Sequence, residues 1–224
     1  MMRTHEALLE YYAGEEEHDS LLSLKTDWSQ SEAVTKSFAK LKEWIDKGYF
    51  PSTVLTEDAN SSTMLVYTGS AAMIMENPGM SSAIYANGYN PEDYAWFVFP
   101  TGTGRISAYA KLCQFNANIT DEKLEAAMLF WDYYYSQESI TAHDAIEQPT
   151  ATIGVELPEN YALADGMLEA ISENGSFTVM DLKVAPEVMS QYFATCEAVI
   201  LGTITPDAAG AEIQAAVESY LANQ

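Results

Sequence analysis

Side chains able to do chemistry are present in this sequence, but few are spaced for covalent work. The densest group, Glu15-Glu-Glu-His-Asp19, sets carboxylates around one imidazole and could attract a cation. The same composition makes a solvated acidic turn, one that could open another short helix, and that is the preferred reading. His5, His18 and His143 share no metal-ligand spacing. No Ser, Cys and His arrangement suggests an activated nucleophile. Gly102-Thr-Gly104 begins like a phosphate-cradling loop, yet it lacks the third glycine and leads into strand-like sequence, so it is rejected as one. Cys113 and Cys196 read as two separate buried thiols rather than a disulfide or a metal pair. The expectation is no catalytic residue, no metal and no cofactor. What remains is hydrogen-bonding chemistry. Glu76 and Asn77 follow an apolar run and can bond hydroxyl groups. Asn77 can equally cap the turn that follows.

These groups sit on a chain of 224 residues, long enough to bury a sizeable core. Its 48% hydrophobic content, with 8 Phe, 4 Trp and 14 Tyr, is not that of a disordered tail. There are 10 Lys plus Arg against 33 Asp plus Glu, for a net charge of −23. That surface repels nucleic acid phosphates and anionic headgroups, so no nucleic acid partner is expected. No apolar run is long enough to span a bilayer as a helix. The opening Met1-Met-Arg-Thr-His-Glu carries no signal peptide and no lipid-attachment cysteine.

The elements that must position the polar groups are mostly helices. Residues 4–13 read as a helix stopped by Gly14. Ser29 or Ser31 caps a second helix, in which Val34, Phe38, Leu41, Trp44 and Ile45 share one face and Gly48 ends the run. Asp58 caps a third, through Tyr67, ended by Gly69. Ala71 to Met75, Tyr94 to Phe99 and Ser107 to Asn116 read as strands. Thr120 caps a helix with Leu124, Ala127, Met128, Trp131 and Tyr135 along one face, and Asp121 and Glu122 at its positive end. Gln148 to Pro158 is an irregular connection, Asn160 to Ser172 a helix, and Asn174-Gly175 a turn. Pro186 to Leu201 and Thr205 onward give two final helices, the last turning Ala208, Ile213, Ala216, Val217 and Leu221 toward a core. Trp28, Tyr11 and Tyr12 read as core. The class is helix-rich α/β.

Several segments carry a likeness to known proteins. Leu41-Lys-Glu-Trp-Ile-Asp-Lys-Gly-Tyr-Phe50, Gly69-Ser-Ala-Ala-Met-Ile-Met75, Trp96-Phe-Val-Phe-Pro100, the helix from Ile119 to Glu138, and Ile200-Leu-Gly-Thr-Ile-Thr-Pro-Asp-Ala-Ala209 follow one another in order. Together they resemble the second lobe of extracellular solute-binding proteins (family 1), the ABC-importer sugar-binding type related to maltodextrin-binding protein. The resemblance implies a periplasmic-binding-protein type II-like second lobe from residues 1–108 and 156–224. Residues 109–155 would then cross into a first lobe that is mostly absent from this chain, leaving the apolar face of the 120–136 helix without its usual partner.

In that family a sugar lies in the cleft between lobes, stacked on aromatic faces and hydrogen-bonded through its hydroxyls. The resemblance implies that Tyr192 stacks on the ligand, flanked by Gln191, with Tyr109 at the crossing and with Glu76 and Asn77 bonding hydroxyls. Gly79 and Met80 stand where relatives often place a second aromatic. The implied role is binding, not catalysis: an oligosaccharide ligand, ABC permease subunits as partners, and an extracellular, cell-surface lipoprotein or periplasmic location, with the export signal upstream of this chain. Two rival readings stand beside it. A carbohydrate-active enzyme needs two cleft carboxylates, of which Glu76 is the one candidate. An interaction-only fragment would self-associate through the 120–136 helix.

Overall fold

The computed structural model describes residues 2–77, 79–109, 114–142 and 162–224. They fall into two compact units. Unit 1 contains residues 1–75, 98–109 and 173–224, and unit 2 contains residues 76–97 and 110–172.

Unit 1 is built around four helices: α1 (Met2–Leu22), α2 (Glu32–Asp46), α9 (Pro186–Leu201) and α10 (Pro206–Ala222). It also holds α3 (Ala59–Tyr67) and the short α8 (Met180–Lys183). Gly14 interrupts α1 with φ 68° and ψ 179°, outside the helical region and open to glycine at little cost. The acidic run after it is helical, and His18 within it is buried, so the expected solvated turn holds only for its exposed members, such as Glu15 and Glu16. The Ser31 hydroxyl accepts the Val34 N–H at 3.2 Å and caps α2, and Asp58 caps α3 through Ser61 N–H at 2.8 Å. Gly202, at φ 73°, closes α9: its N–H reaches Val199 O and the Thr203 N–H reaches Ala198 O, the paired bonds of a Schellman motif.

The core of unit 1 gathers Leu9, Leu21, Trp28, Phe38, Met180, Tyr192, Val199, Ile213 and Val217. Helix α10 turns Ala209, Gly210, Ile213 and Val217 inward, whereas Leu221 is exposed. Gly210 is required by contact. A Cβ there would stand 2.4 Å from the Trp28 carbonyl oxygen, so α10 lies directly on the turn Trp28–Gln30. A burial of large apolar side chains on this scale is the main source of stability.

Two strands, β1 (Ile106–Ser107) and β2 (Ser176–Phe177), pair in parallel with Ile106 opposite Ser176 and Ser107 opposite Phe177. They are the sheet of the described residues. The other expected strands differ. Ala71 to Met75 forms no ladder: its first N–H is taken by Leu65 O at 2.8 Å, finishing α3, and Met73 is 70% exposed. Tyr94 to Phe99 is also unladdered, since no described segment pairs with it. Among the described residues of 107–116, Ser107 alone is in a strand, and residues 110–113 lie outside that set.

Unit 2 contains α4 (Met80–Ala86), α5 (Asp121–Tyr134), α6 (Gln137–Ala142) and most of α7 (Ala162–Asn174). Asp121 and Glu122 occupy the first turn of α5, favourable at its positive end. Trp96 packs on α7 so closely that a Cβ on Gly166 would lie 2.6 Å from its ring. The expected connection 148–158, Cys113 and His143 lie outside the described residues.

Candidate functional site

The residues expected at a ligand site are distributed over both units. Tyr109, Gln191 and Tyr192 belong to unit 1, and Glu76 and Asn77 to unit 2. Glu76 Oε2 accepts from both the backbone N–H and the side-chain amide of Asn77 at 3.0 Å. Asn77 Oδ1 accepts the Gly79 N–H at 2.9 Å, a local turn closed just ahead of α4. Asn77 is exposed and Glu76 partly so. Tyr109 follows β1 and is 51% exposed. On α9, Gln191 is partly exposed and its amide reaches the Thr195 hydroxyl at 3.3 Å.

Tyr192 requires correction as a stacking platform. Its side chain has 0% exposure, and its ring packs among Trp28, Phe38 and His5. A sugar face needs an open ring face, and this ring has none. Its hydroxyl is committed as well. The Ser37 hydroxyl donates to Val34 O at 2.8 Å, so it accepts from His5 Nε2 at 3.1 Å. His5 Nδ1 is then the acceptor for the Tyr192 hydroxyl at 2.5 Å. Burial, then the nearby His18, lowers the His5 pKa to about 3, in keeping with a neutral ring. Cys196, one turn further along α9, is a buried free thiol, and burial pushes it up to about 12. Such a saturated chain fixes one core arrangement.

A second buried polar group, which the sequence reading did not identify, joins α1 to the loop before β1. Glu10 has a fully buried side chain. Arg105 Nε donates to its Oε1 and Nη2 to its Oε2, both at 2.9 Å. The Thr103 hydroxyl donates to Glu10 Oε1 at 2.7 Å, and His18 Nδ1 lies 2.9 Å from Oε2. Burial raises the Glu10 pKa, but His18, Arg105 and Thr103 more than offset it and hold the carboxyl at about 2. Arg105 also pairs with Asp19 at 3.0 Å. One turn earlier, Glu6 Oε1 accepts the Met180 N–H at 2.7 Å, while its Oε2 has no hydrogen-bond partner. Burial raises Glu6 to about 7, against the Met180 bond and Arg3, with Asp181 and Glu10 adding to the rise.

Glu6 and Glu10 thus show the divergent pKa values of an acid–base couple. Neither reaches the surface, at 1% and 0% exposure, so the pair meets no substrate and serves packing and geometry. A signal for it was present in the sequence. Arg105 is one of only two arginines in a strongly acidic chain, and two glutamates one turn apart interrupt the apolar stripe of α1.

In unit 2, α5 has no buried residue, and Met128, Leu129, Phe130 and Tyr133 are exposed on it. Asp121, Leu124, Glu125, Met128, Leu129 and Asp132 share one open face of α5.

No family model and no curated protein matches this chain. Among solved structures it is similar to one described as a chitin oligosaccharide binding protein, with a TM-score of 0.82 and 23% sequence identity, over 97% of this chain and 56% of that one. The chain therefore spans little more than half the length of that solved structure, with which it shares its fold.

Proposed function

We propose that this chain is part of a carbohydrate-binding protein, the substrate-binding component of an ABC importer, and that its ligand is an oligosaccharide. The observation that carries the reading is the backbone likeness, at a TM-score of 0.82 over 97% of the chain, to a protein described as binding chitin oligosaccharides. The order of sequence segments resembling sugar-binding proteins supports it independently. In this reading the chain supplies a type II-like second lobe with a piece of the first, and works with the portion of the fold that the 56% coverage leaves over. Export to the cell surface or periplasm and docking on permease subunits belong to the same proposal. Binding shifts a clamp toward its closed form only by the difference in affinity between the two forms.

Calorimetric titration tests it. Chitooligosaccharides and maltooligosaccharides are added to the chain alone and to a form extended to the full two-lobed length. The extended form is expected to bind one series with Kd of about 1–100 μM, and the chain alone no tighter than about 1 mM. Micromolar binding by the chain alone would refute the need for the rest of the first lobe. An extended form that ignores every oligosaccharide would refute the carbohydrate reading.

A second reading has its own observation. The unburied apolar side chains of α5 favour association between copies. Sedimentation of the chain would show a concentration-dependent dimer that Phe130→Ser and Tyr133→Ser dissolve. A monomer at all concentrations would exclude it.

A further inference from the structure

The chain passes between its two units after Met75, Phe97, Tyr109 and Ser172. The third connection leaves unit 1 just beyond β1, and the fourth returns just ahead of β2. The ladder joining these strands is short: two residue pairs, extended by the Ala108 N–H on Phe177 O at 2.9 Å. A ladder of that length is too weak to hold two connections by itself.

Arg105 immediately precedes β1 and is tied to both strands. Its guanidinium carbon lies 5.5 Å from the ring centre of Phe177 in β2, and His18 meets the same ring edge-on at 4.7 Å. The guanidinium forks onto Glu10, and onto Asp19 at 3.0 and 3.2 Å. Gly104, at φ 75°, closes the loop onto the start of the return connection, where a Cβ would stand 2.9 Å from the Asn174 side chain. A buried ion cluster is weak evidence for stability, since apolar residues of similar volume often serve as well. It does make an all-or-none joint. If the fork opens, Glu10 is left as a buried charge without its cation, so partial opening is costly.

We propose that Arg105 is a latch: its fork onto Glu10 and Asp19 holds both connecting strands on unit 1, and its release frees the two strands together while the helical core of unit 1 stays folded. The latch is independent of which ligand the protein binds. It sets how firmly the connections to unit 2 are rooted.

Native-state hydrogen exchange on the full chain, read by mass spectrometry, tests this with Arg105→Met, Arg105→Lys and Asp19→Asn. Arg105→Lys keeps the charge but loses the fork. The expected result is exchange about tenfold faster at 106–108 and 176–177 in Arg105→Met and a smaller rise in Arg105→Lys, through an opening nearly independent of urea, while amides of α9 and α10 stay slower and keep the urea dependence of global unfolding. Unchanged strand protection would overturn the latch. So would strand exchange with the same rate and urea dependence as α9 and α10, because the strands would then open only with the whole of unit 1. If Arg105→Met does not fold, Asp19→Asn decides, since Arg105 and Glu10 stay paired. A rise of about threefold in the strands, again with little urea dependence, supports the latch, and an absent rise or the urea dependence of global unfolding overturns it.

Discussion

The helices of unit 1 and helix α5 of unit 2 spend similar apolar side chains in opposite ways. Helices α1, α2, α9 and α10 converge, so Leu9, Phe38, Tyr192 and Ile213 each lose essentially all exposure. Helix α5 carries Leu124, Met128, Leu129, Phe130 and Trp131 and buries none of them. Among the described residues of unit 2, the buried side chains are Ile84, Ser139 and Ile140. Rings of α5 contact one another, as Trp131 and Tyr134 do edge to face, 5.2 Å apart. An apolar stripe is thus necessary for a core and not sufficient. Burial requires several elements to deliver their stripes to the same place.

That contrast can be broken most directly by truncation. Phe38→Ala, in the centre of unit 1, is expected to cost about 3–5 kcal/mol, whereas Phe130→Ala, at a ring 55% exposed, costs less than about 0.5 kcal/mol. Urea unfolding of both variants checks this, and equal costs would mean that α5 is packed as tightly as the core. Next in size is Glu10→Gln, which leaves Arg105 short of its buried counter-charge and is expected to cost about 3 kcal/mol at pH 7. The folded pKa of Glu10, about 2, lies below its ordinary 4.5. Its contribution is therefore present above pH 4.5 and lost as pH falls toward 2. The gap between parent and variant should narrow over that window, and a constant gap would deny the carboxylate its role.

Glu6 has the opposite sign. Its folded pKa of about 7 lies above 4.5, so the stability it contributes is full below pH 4.5 and lost as pH rises through 7. Glu6→Gln keeps an acceptor for the Met180 N–H and removes the buried charge. It is expected to gain about 1–3 kcal/mol on the parent between pH 5 and pH 8. His5, held neutral with a pKa of about 3, adds stability above pH 6.5 that is lost as pH falls toward 3. The parent's own profile is thus partly flattened, and the difference between the two melting profiles isolates Glu6. A smaller effect is expected of Tyr192→Phe. Losing the bond to His5 should cost about 1 kcal/mol and leave oligosaccharide affinity of the extended form unchanged. A large loss of affinity would return Tyr192 to the ligand site.

Much of the local architecture was legible. Ser31 and Asp58 cap the helices they precede, and Gly14, Gly48, Gly69 and Gly202 take positive φ where helices stop or bend. That 71–75 and 94–99 would stay without a ladder was not legible, because an apolar run reads the same whether or not a partner strand arrives beside it. Tyr192 was misplaced for a related reason. A periodic stripe shows that one face of α9 is apolar, but not whether that face meets other helices or a ligand.

What the sequence by itself determined are features decided within a turn or two: the caps at Ser31 and Asp58, the glycine stops, and the strongly acidic charge. Only the tertiary structure decided that Glu10 and Arg105, 95 residues apart, would form one buried joint, and that His5 would meet Tyr192 across 187 residues. Their energies depend on desolvation and on geometry to within a few tenths of an ångström, and both exist only once the helices have packed.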